Sequence, residues 1–302
     1  MILTRNLKRY MKGEDVRTVK EILFKLGFYD KNIKKITNST YGNDTYKAVK
    51  AFQKKHNLVV DGIVGKNTWR ALYMRQDGGD INLSETTYVT AKEYPRLSED
   101  ARAKINEALS MVSYVRRKVV LEALKYATDA TIASQFKYPS SLYIRGGNLY
   151  NKDNTLNVIK ATYLKGAYKN NYYSYCTNGR LEMMIKAVEN DPGITGADCS
   201  GGIIGLLRHF GLIPMNADAT ANGLCGSGYS TVIKKVDLRA GDFVGKDGHI
   251  CLYVGGGLMV EWAGGAYGCQ LTEVSNRRCW SFTKKKMVKM AACKRYRCPK
   301  VY

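Results

Sequence analysis

The segment Ala197-Asp198-Cys199-Ser200-Gly201-Gly202 runs directly into the apolar residues Ile203, Ile204, Leu206 and Leu207, and further on comes Gly248-His249-Ile250-Cys251-Leu252-Tyr253-Val254. The first stretch predicts a helix, because Ile203, Leu206, Leu207 and Phe210 recur at helical spacing and Asp198, Ser200 and Gly201 favour a helix start. Cys199 then falls in the first turn, where unpaired backbone N–H groups stabilise a thiolate. Its side chain shares a side with Ile203, so the sulfur turns toward whatever sheet the helix packs on. A thiol with an ordinary pKa of ~8.5 is mostly protonated at neutral pH, so nucleophilic chemistry there needs local positive potential and a proton acceptor.

The chain has three histidines, so the acceptor follows by elimination. His209 lies further along the same helix, ~15 Å away at 1.5 Å per residue, beyond hydrogen-bond reach. It reads as a cation near a helix C-terminus, just before Gly211. His56 belongs to a different domain, which leaves His249. That residue opens an apolar run to Val254 that reads as a strand. Gly255-Gly256-Gly257 then turns the chain, and Leu258 to Trp262 reads as the hairpin partner. A three-residue loop pairs Val254 with Leu258 and Cys251 with Glu261, which places Glu261 diagonal to His249 on one face, where it would orient the imidazole. A two-residue loop would turn Glu261 to the other face and end that role. Cys199, His249 and Glu261 are therefore the candidate catalytic residues of a thiol hydrolase.

These segments resemble the NlpC-like cysteine peptidases that cleave peptidoglycan stem peptides. The resemblance rests on Asp198-Cys199-Ser200-Gly201, on Ala240-Gly241-Asp242-Phe243 before the histidine strand, on Gly248-His249-Ile250 and Leu252-Tyr253-Val254-Gly255, on Met259-Val260-Glu261, and upstream on Leu142-Tyr143-Ile144-Arg145-Gly146-Gly147. It implies a papain-like fold in which Cys199 attacks an amide, His249 shuttles the proton, Glu261 orients the ring and the Cys199 N–H faces the oxyanion. It also implies substrate contacts from Tyr143, Asp198 and Ser200, and no metal or other cofactor. The chain departs from the pattern twice. Glutamate stands where the family more often has His, Asn or Gln, and the stretch from Asn148 to Gly196 is longer than usual, an insertion at about 148–196 with a helix around Leu181 to Glu189. The family's chemistry implies cleavage of the D-Glu to diamino acid bond, and an N-acetylmuramoyl-L-alanine amidase would use the same triad.

The N-terminal segment predicts three short helices around one small core. A first helix runs from about Asp15, with Val16, Val19, Ile22, Leu23 and Leu26 apolar, and the repeated Gly-x-x-Thr punctuation at Gly42–Thr45 and Gly65–Thr68 opens two more amphipathic stretches. The run Ala48-Val49-Lys50-Ala51-Phe52-Gln53 with Asp61-Gly62-Ile63-Val64-Gly65 and Thr68-Trp69 is similar to the small peptidoglycan-binding domain found beside many cell-wall hydrolases. Most of these residues read as core and turn, so peptidoglycan is implied as the partner by the resemblance and by no single side chain.

Lysine and arginine exceed the acidic residues to give a formal net charge of +22, which favours a polyanionic partner. No nucleic-acid-binding motif, zinc-finger spacing or basic helix with clustered aromatics accompanies the charge, so nucleic acid is set aside in favour of anionic wall polymers. No apolar stretch approaches the length needed to cross a bilayer, and no membrane insertion is expected. All eight cysteines fall between Cys176 and Cys298, with no Cys-x-x-Cys pair. The start Met1-Ile2-Leu3-Thr4-Arg5-Asn6 lacks the apolar core of a signal peptide, so a reducing cytoplasm is expected. Cys251 reads as packing, and Cys279, Cys293 and Cys298 as a weak metal candidate. A wall hydrolase without an export signal resembles a bacteriophage endolysin, made in the host cytoplasm and acting at the wall after release.

The expected fold class is α+β: a small three-helix domain at 1–75, a linker at 76–97, and a papain-like domain at 98–302 with helices packed on a central antiparallel sheet. Ser98 to about Asp129 reads as helical, with Ser98 as N-cap and length enough for two helices. The basic tail from Cys279 to Tyr302 supplies the last strand or two. Two alternative readings rank below this one: a wall-binding phage structural component without catalysis, and a basic nucleic-acid binder.

Overall fold

The structure is a computed structural model that describes residues 5–29, 36, 38–56, 58–75 and 87–302. Its contacts divide the chain into two units, Met1–Thr86 with Ser110–Tyr114, and Thr87–Leu109 with Val115–Tyr302. The fold is α+β, as the pattern predicts.

In the first unit, helices α1 (Glu14–Lys25), α2 (Asn43–Lys55) and α3 (Lys66–Arg75) enclose a core that includes Leu7, Val19, Leu23, Val49, Phe52 and Trp69. The glycines before α2 and α3 stop the extended chain, and the two threonines of the repeat turn inward, both buried. Gln53 explains the polar residue at the end of the α2 stripe. Fully buried, its amide donates to Asp61 Oδ1 (2.8 Å), the Ile63 carbonyl (3.0 Å) and Thr68 Oγ1 (3.0 Å), and its oxygen accepts from the Gly62 N–H (2.8 Å). One side chain thus satisfies the turn between α2 and α3, which would otherwise leave buried polar groups unpaired. Gly62 sits there at φ +71° with the Tyr46 ring against its Cα, so neither the conformation nor the space admits a side chain.

The second unit begins earlier than the sequence pattern implies. Residues 76–86 of the expected linker lie outside the described residues, but 87–97 fold with the second unit: the Asn106 side chain bonds both backbone groups of Val89 (2.9 and 3.0 Å), and Val89, Tyr94 and Leu97 are buried. The predicted pair of helices follows, α4 (Glu99–Leu109) and α5 (Tyr114–Leu124). Ser98 caps α4 by accepting from the Ala101 N–H (3.2 Å) and donates to Asp129 (2.5 Å).

The main sheet has seven strands: β1 (Thr128–Asp129), β4 (Ser230–Val232), β5 (Phe243–Lys246), β6 (His249–Gly255), β7 (Leu258–Trp262), β8 (Cys269–Glu273) and β11 (Arg295–Pro299), in the order β1-β8-β7-β6-β5-β11-β4. All pairs are antiparallel except β1 with β8. The tail contributes more than expected, since a separate hairpin of β9 (Arg278–Ser281) and β10 (Lys286–Lys289) precedes β11. Strands β2 (Ser141–Tyr143) and β3 (Thr195–Ala197) form a parallel pair that brackets the inserted segment. Within the insertion, helix α6 (Arg180–Asn190) buries Met183, Met184, Ala187 and Val188 against Leu142 and Ile144, next to the π-helical turn Leu164–Tyr168.

The β6–β7 turn corrects the expected loop length. Gly255, not Val254, pairs with Leu258, so the loop has two residues, Gly256 and Gly257, both at positive φ as the twist of a tight hairpin demands. A bulge between Tyr253 and Gly255 absorbs the extra residue, and beyond it Tyr253 pairs with Met259 and Leu252 with Val260. The bulge restores the register in which Cys251 faces Glu261, and Glu261 keeps the face of His249.

Candidate active site

Cys199 opens helix α7 (Cys199–His209), as the spacing predicts. Asp198 is its N-cap. One carboxylate oxygen accepts from the backbone of Ser200 (3.0 Å) and Gly201 (2.7 Å) and from the Ser200 hydroxyl (3.0 Å), while the other accepts from the Gly146 N–H (2.9 Å). Asp198 therefore ties the Gly146-Gly147 loop to the helix tip. Gly201 and Gly202 are small for packing reasons: a Cβ on Gly201 would overlap the Gly147 carbonyl, and one on Gly202 the Trp262 ring. Helix α7 thus lies directly on the Trp262 face of β7, and the Trp262 indole is held by Ser141 Oγ (3.1 Å).

That approach brings the Cys199 sulfur to the start of β6, where the Ile250 N–H, next in sequence to His249, faces it. The Ser200 N–H and its own N–H also face the sulfur. The expectation of a thiolate-favouring site needs correction here. Burial and the nearby Asp198 charge push the thiol up to about 11, and the backbone donors only partly offset them. The resting group is a thiol, so deprotonation has to be coupled to attack through a base.

His249 and Glu261 meet as predicted, with Nε2 2.7 Å from Oε2. Glu261 is fully buried and its oxygens are saturated: Thr272 Oγ1 donates at 2.6 Å, and Arg277 Nε lies 3.0 Å from both oxygens. Arg277 Nη2 contacts Oε2 as well and lies 2.8 Å from His249 Nε2. Burial alone would raise the carboxyl, yet the His249 and Arg277 hydrogen bonds and the guanidinium charge hold it down to about 2. Nδ1 of His249 has no hydrogen-bond partner among the described residues. Arg277 has no counterpart in the sequence reading. Its inward parity with Cys279 and Ser281, both fully buried on β9, is the signal that would have found it.

A cleft of about 320 Å³ opens beside this turn, lined by Gly146, Asn148, Asp198, Ser200, Asp218 and Thr220 among others. Asp198 and Ser200 thus both border it. Tyr143, at the end of β2, is half-buried near Cys199, which together with burial raises its phenol. Its ring stacks on Tyr175 of the insertion (centroids 6.3 Å apart, 11° between planes), and the Arg145 guanidinium lies 4.9 Å from the Tyr175 centroid. The insertion therefore supplies an aromatic ring against Tyr143.

The other histidines lie elsewhere. His209 ends α7, stacked on Tyr150 at 4.0 Å and 3.0 Å from Asn154 Oδ1, and His56 follows α2 against Phe52. The cysteine group expected as a metal candidate does not converge. Cys279 lies 3.9 Å from Glu261 Oε1 and Cys293 3.9 Å from Cys251, while Cys298 contacts Arg116 at 3.2 Å. His249, Cys251 and Glu261 do place ligand atoms within 4.8 Å of one another, but the Arg277 guanidinium already touches His249 and Glu261 as a cation. That donor set does not suit a metal ion.

Residues 12–72 match the peptidoglycan binding domain family. A stretch of 89 residues is 32% identical to the N-acetylmuramoyl-L-alanine amidase CwlM of Mycobacterium tuberculosis, covering 28% of this chain and 21% of that protein. This chain thus matches about a fifth of the relative's length. The crystal structure of Burkholderia AP3 phage endolysin aligns over 57% of this chain and 52% of its own at 22% identity, with a TM-score of 0.21, too low to equate the folds. Among the described residues, no helix is long and apolar enough to cross a membrane.

Proposed function

We propose that this protein is a peptidoglycan hydrolase of the NlpC-like type, endolysin-like in carrying a wall-binding domain, with Cys199, His249 and Glu261 as its catalytic residues. The observation that carries the reading is the buried His249–Glu261 pair, one residue from the amide that touches the Cys199 sulfur. In this mechanism Nδ1 of His249 takes the thiol proton as the sulfur bonds to the amide carbon. The oxyanion forms at the helix tip beside the Cys199 N–H, where the α7 dipole favours negative charge. The imidazolium returns the proton to the leaving amine, and water, deprotonated by the same ring, cleaves the thioester. Tyr143, Asp198 and Ser200 line the substrate side, Asp198 as the residue that shapes the cleft wall. Anionic wall polymers draw in the basic chain, and synthesis in the host cytoplasm followed by release to the wall suits its free thiols.

The D-Glu to diamino acid bond is the proposed target. The muramoyl–L-alanine bond is the second reading, favoured by the name of the mycobacterial relative. Mass analysis of fragments released from purified walls separates them: new N-terminal diamino acids mark the first and free lactyl groups the second. Cys199→Ala should abolish release at least ~100-fold. Release unchanged in Cys199→Ala would refute the thiol mechanism and leave a wall-binding component.

A further inference from the structure

We propose that Arg277 is a positioning residue of this site: its guanidinium holds Glu261 as an ionised hydrogen-bond acceptor and cancels its charge, so the carboxylate aims His249 without locking it as imidazolium. The inference rests on the catalytic reading above and adds a fourth member to it.

The geometry shows a side chain placed at considerable cost. Arg277 is 5% exposed, and leaving a guanidinium in such a site is strongly unfavourable without a partner. It has several. Beyond the contacts to Glu261, Nη1 donates to the Ala291 carbonyl (2.8 Å), and the Arg277 carbonyl accepts from the Met290 N–H (2.9 Å). Residues 277 and 290–291 close the base of the β9–β10 hairpin, so the hairpin clasps the arginine from both ends. Nothing in the packing of a hydrophobic sheet calls for this.

The chemistry follows from what meets at Nε2. With the N–H on Nε2, where the Glu261 oxygen at 2.7 Å accepts it, Nδ1 keeps its lone pair for a proton, and the Arg277 contact at that nitrogen is one of charge and not a hydrogen bond. A bare carboxylate in so dry a place would also favour a second proton on the ring. The guanidinium, 2.8 Å from the same nitrogen, makes that second positive charge costly. The surroundings are otherwise mixed. Lys246 is paired with His249 across β5 and β6, Asp198 lies near the Cys199 sulfur, the Cys251 and Cys279 thiols and the Thr272 hydroxyl lie against Glu261, and Cys293 lies against Cys251. Among the described residues, Arg277 is the cation at hydrogen-bond distance from the ring.

The test uses the full chain as wild type, Arg277→Lys, Arg277→Met and the Arg277→Gln/Glu261→Gln double variant. Two readouts avoid wall hydrolysis: the His249 titration by NMR, assigned with His56→Gln and His209→Gln, and the pH profile of Cys199 alkylation by iodoacetamide, read by peptide mass. In Arg277→Met the His249 midpoint should rise by about one unit or more, and alkylation should become fast at lower pH as a thiolate–imidazolium pair forms. Arg277→Lys keeps the charge and should stay near wild type in both readouts. The double variant removes both charges, so its His249 midpoint should also stay near wild type, and that midpoint answers the question if Arg277→Met does not fold. A folded Arg277→Met with both profiles unmoved would overturn the proposal. A lysine or double variant shifted as far as Arg277→Met would do the same. If Cys199→Ala still hydrolyses walls while the profiles shift as stated, the catalytic reading fails and the charge-cancelling role stands.

Discussion

Glu261→Gln removes one charge from the buried centre of the second unit, and its cost can be worked from the structure. Glu261 has no solvent exposure and its carboxyl is held at about 2, against 4.5 for an ordinary glutamate. A difference of about 2.5 pH units at 1.36 kcal/mol each is worth about 3 kcal/mol. Breaking a buried ion pair by deleting one partner independently costs about 3–5 kcal/mol, because the guanidinium is left uncompensated. Against a domain stability of about 5–15 kcal/mol the loss is large yet leaves the fold standing. The sign of the pH dependence follows from the lowered value. The contribution is fully present above pH ~4.5, where an unfolded glutamate is ionised, and is lost as pH falls toward ~2. The gap between wild type and Glu261→Gln should therefore be about 3 kcal/mol at pH 7 and shrink steadily below pH ~4.5. Urea unfolding is the suitable assay, since an ionic denaturant screens the pair. A Trp69→Phe background confines the fluorescence change to Trp262 and Trp280 of the second unit. A gap under ~1 kcal/mol at pH 7, or one that stays constant down to pH ~3, would refute the account.

Gly202→Ala should lower the stability of the second unit by about 1–3 kcal/mol and reduce wall hydrolysis, because its methyl group meets the Trp262 ring and lifts α7 off β7. Thermal unfolding with turbidity loss on purified walls checks both. The net charge of +22 predicts that lysis slows steeply between about 20 and 300 mM salt. A flat salt profile of clearing rates counts against electrostatic attraction to the wall.

Much of the site was legible because its parts are local. The helix start at Cys199 follows from an N-cap aspartate and a 3.6-residue stripe, and choosing among three histidines needed only the rise of a helix. The hairpin reading places Glu261 on the face of His249, and it lies there although the loop is shorter than inferred, because the bulge beside Val254 compensates. Bulges leave little trace in composition. The state of the thiol was not legible, because it depends on burial and on how close Asp198 comes. Tyr175 and Arg277 were missed for a related reason. Each reaches the site from a segment far along the chain, and no spacing rule links an insertion or a hairpin base to a distant helix tip.

Period and punctuation along the chain thus determined which segments became helix and strand, that Cys199 opens a helix and that His249 opens a strand, since backbone sterics and apolar spacing act over a few residues. Only the folded chain decided the protonation of the sulfur, the ionisation of Glu261 and the presence of an arginine against both it and His249. Those properties are set by desolvation and by charges a few ångströms away, and in a globular chain such neighbours come together through tertiary packing.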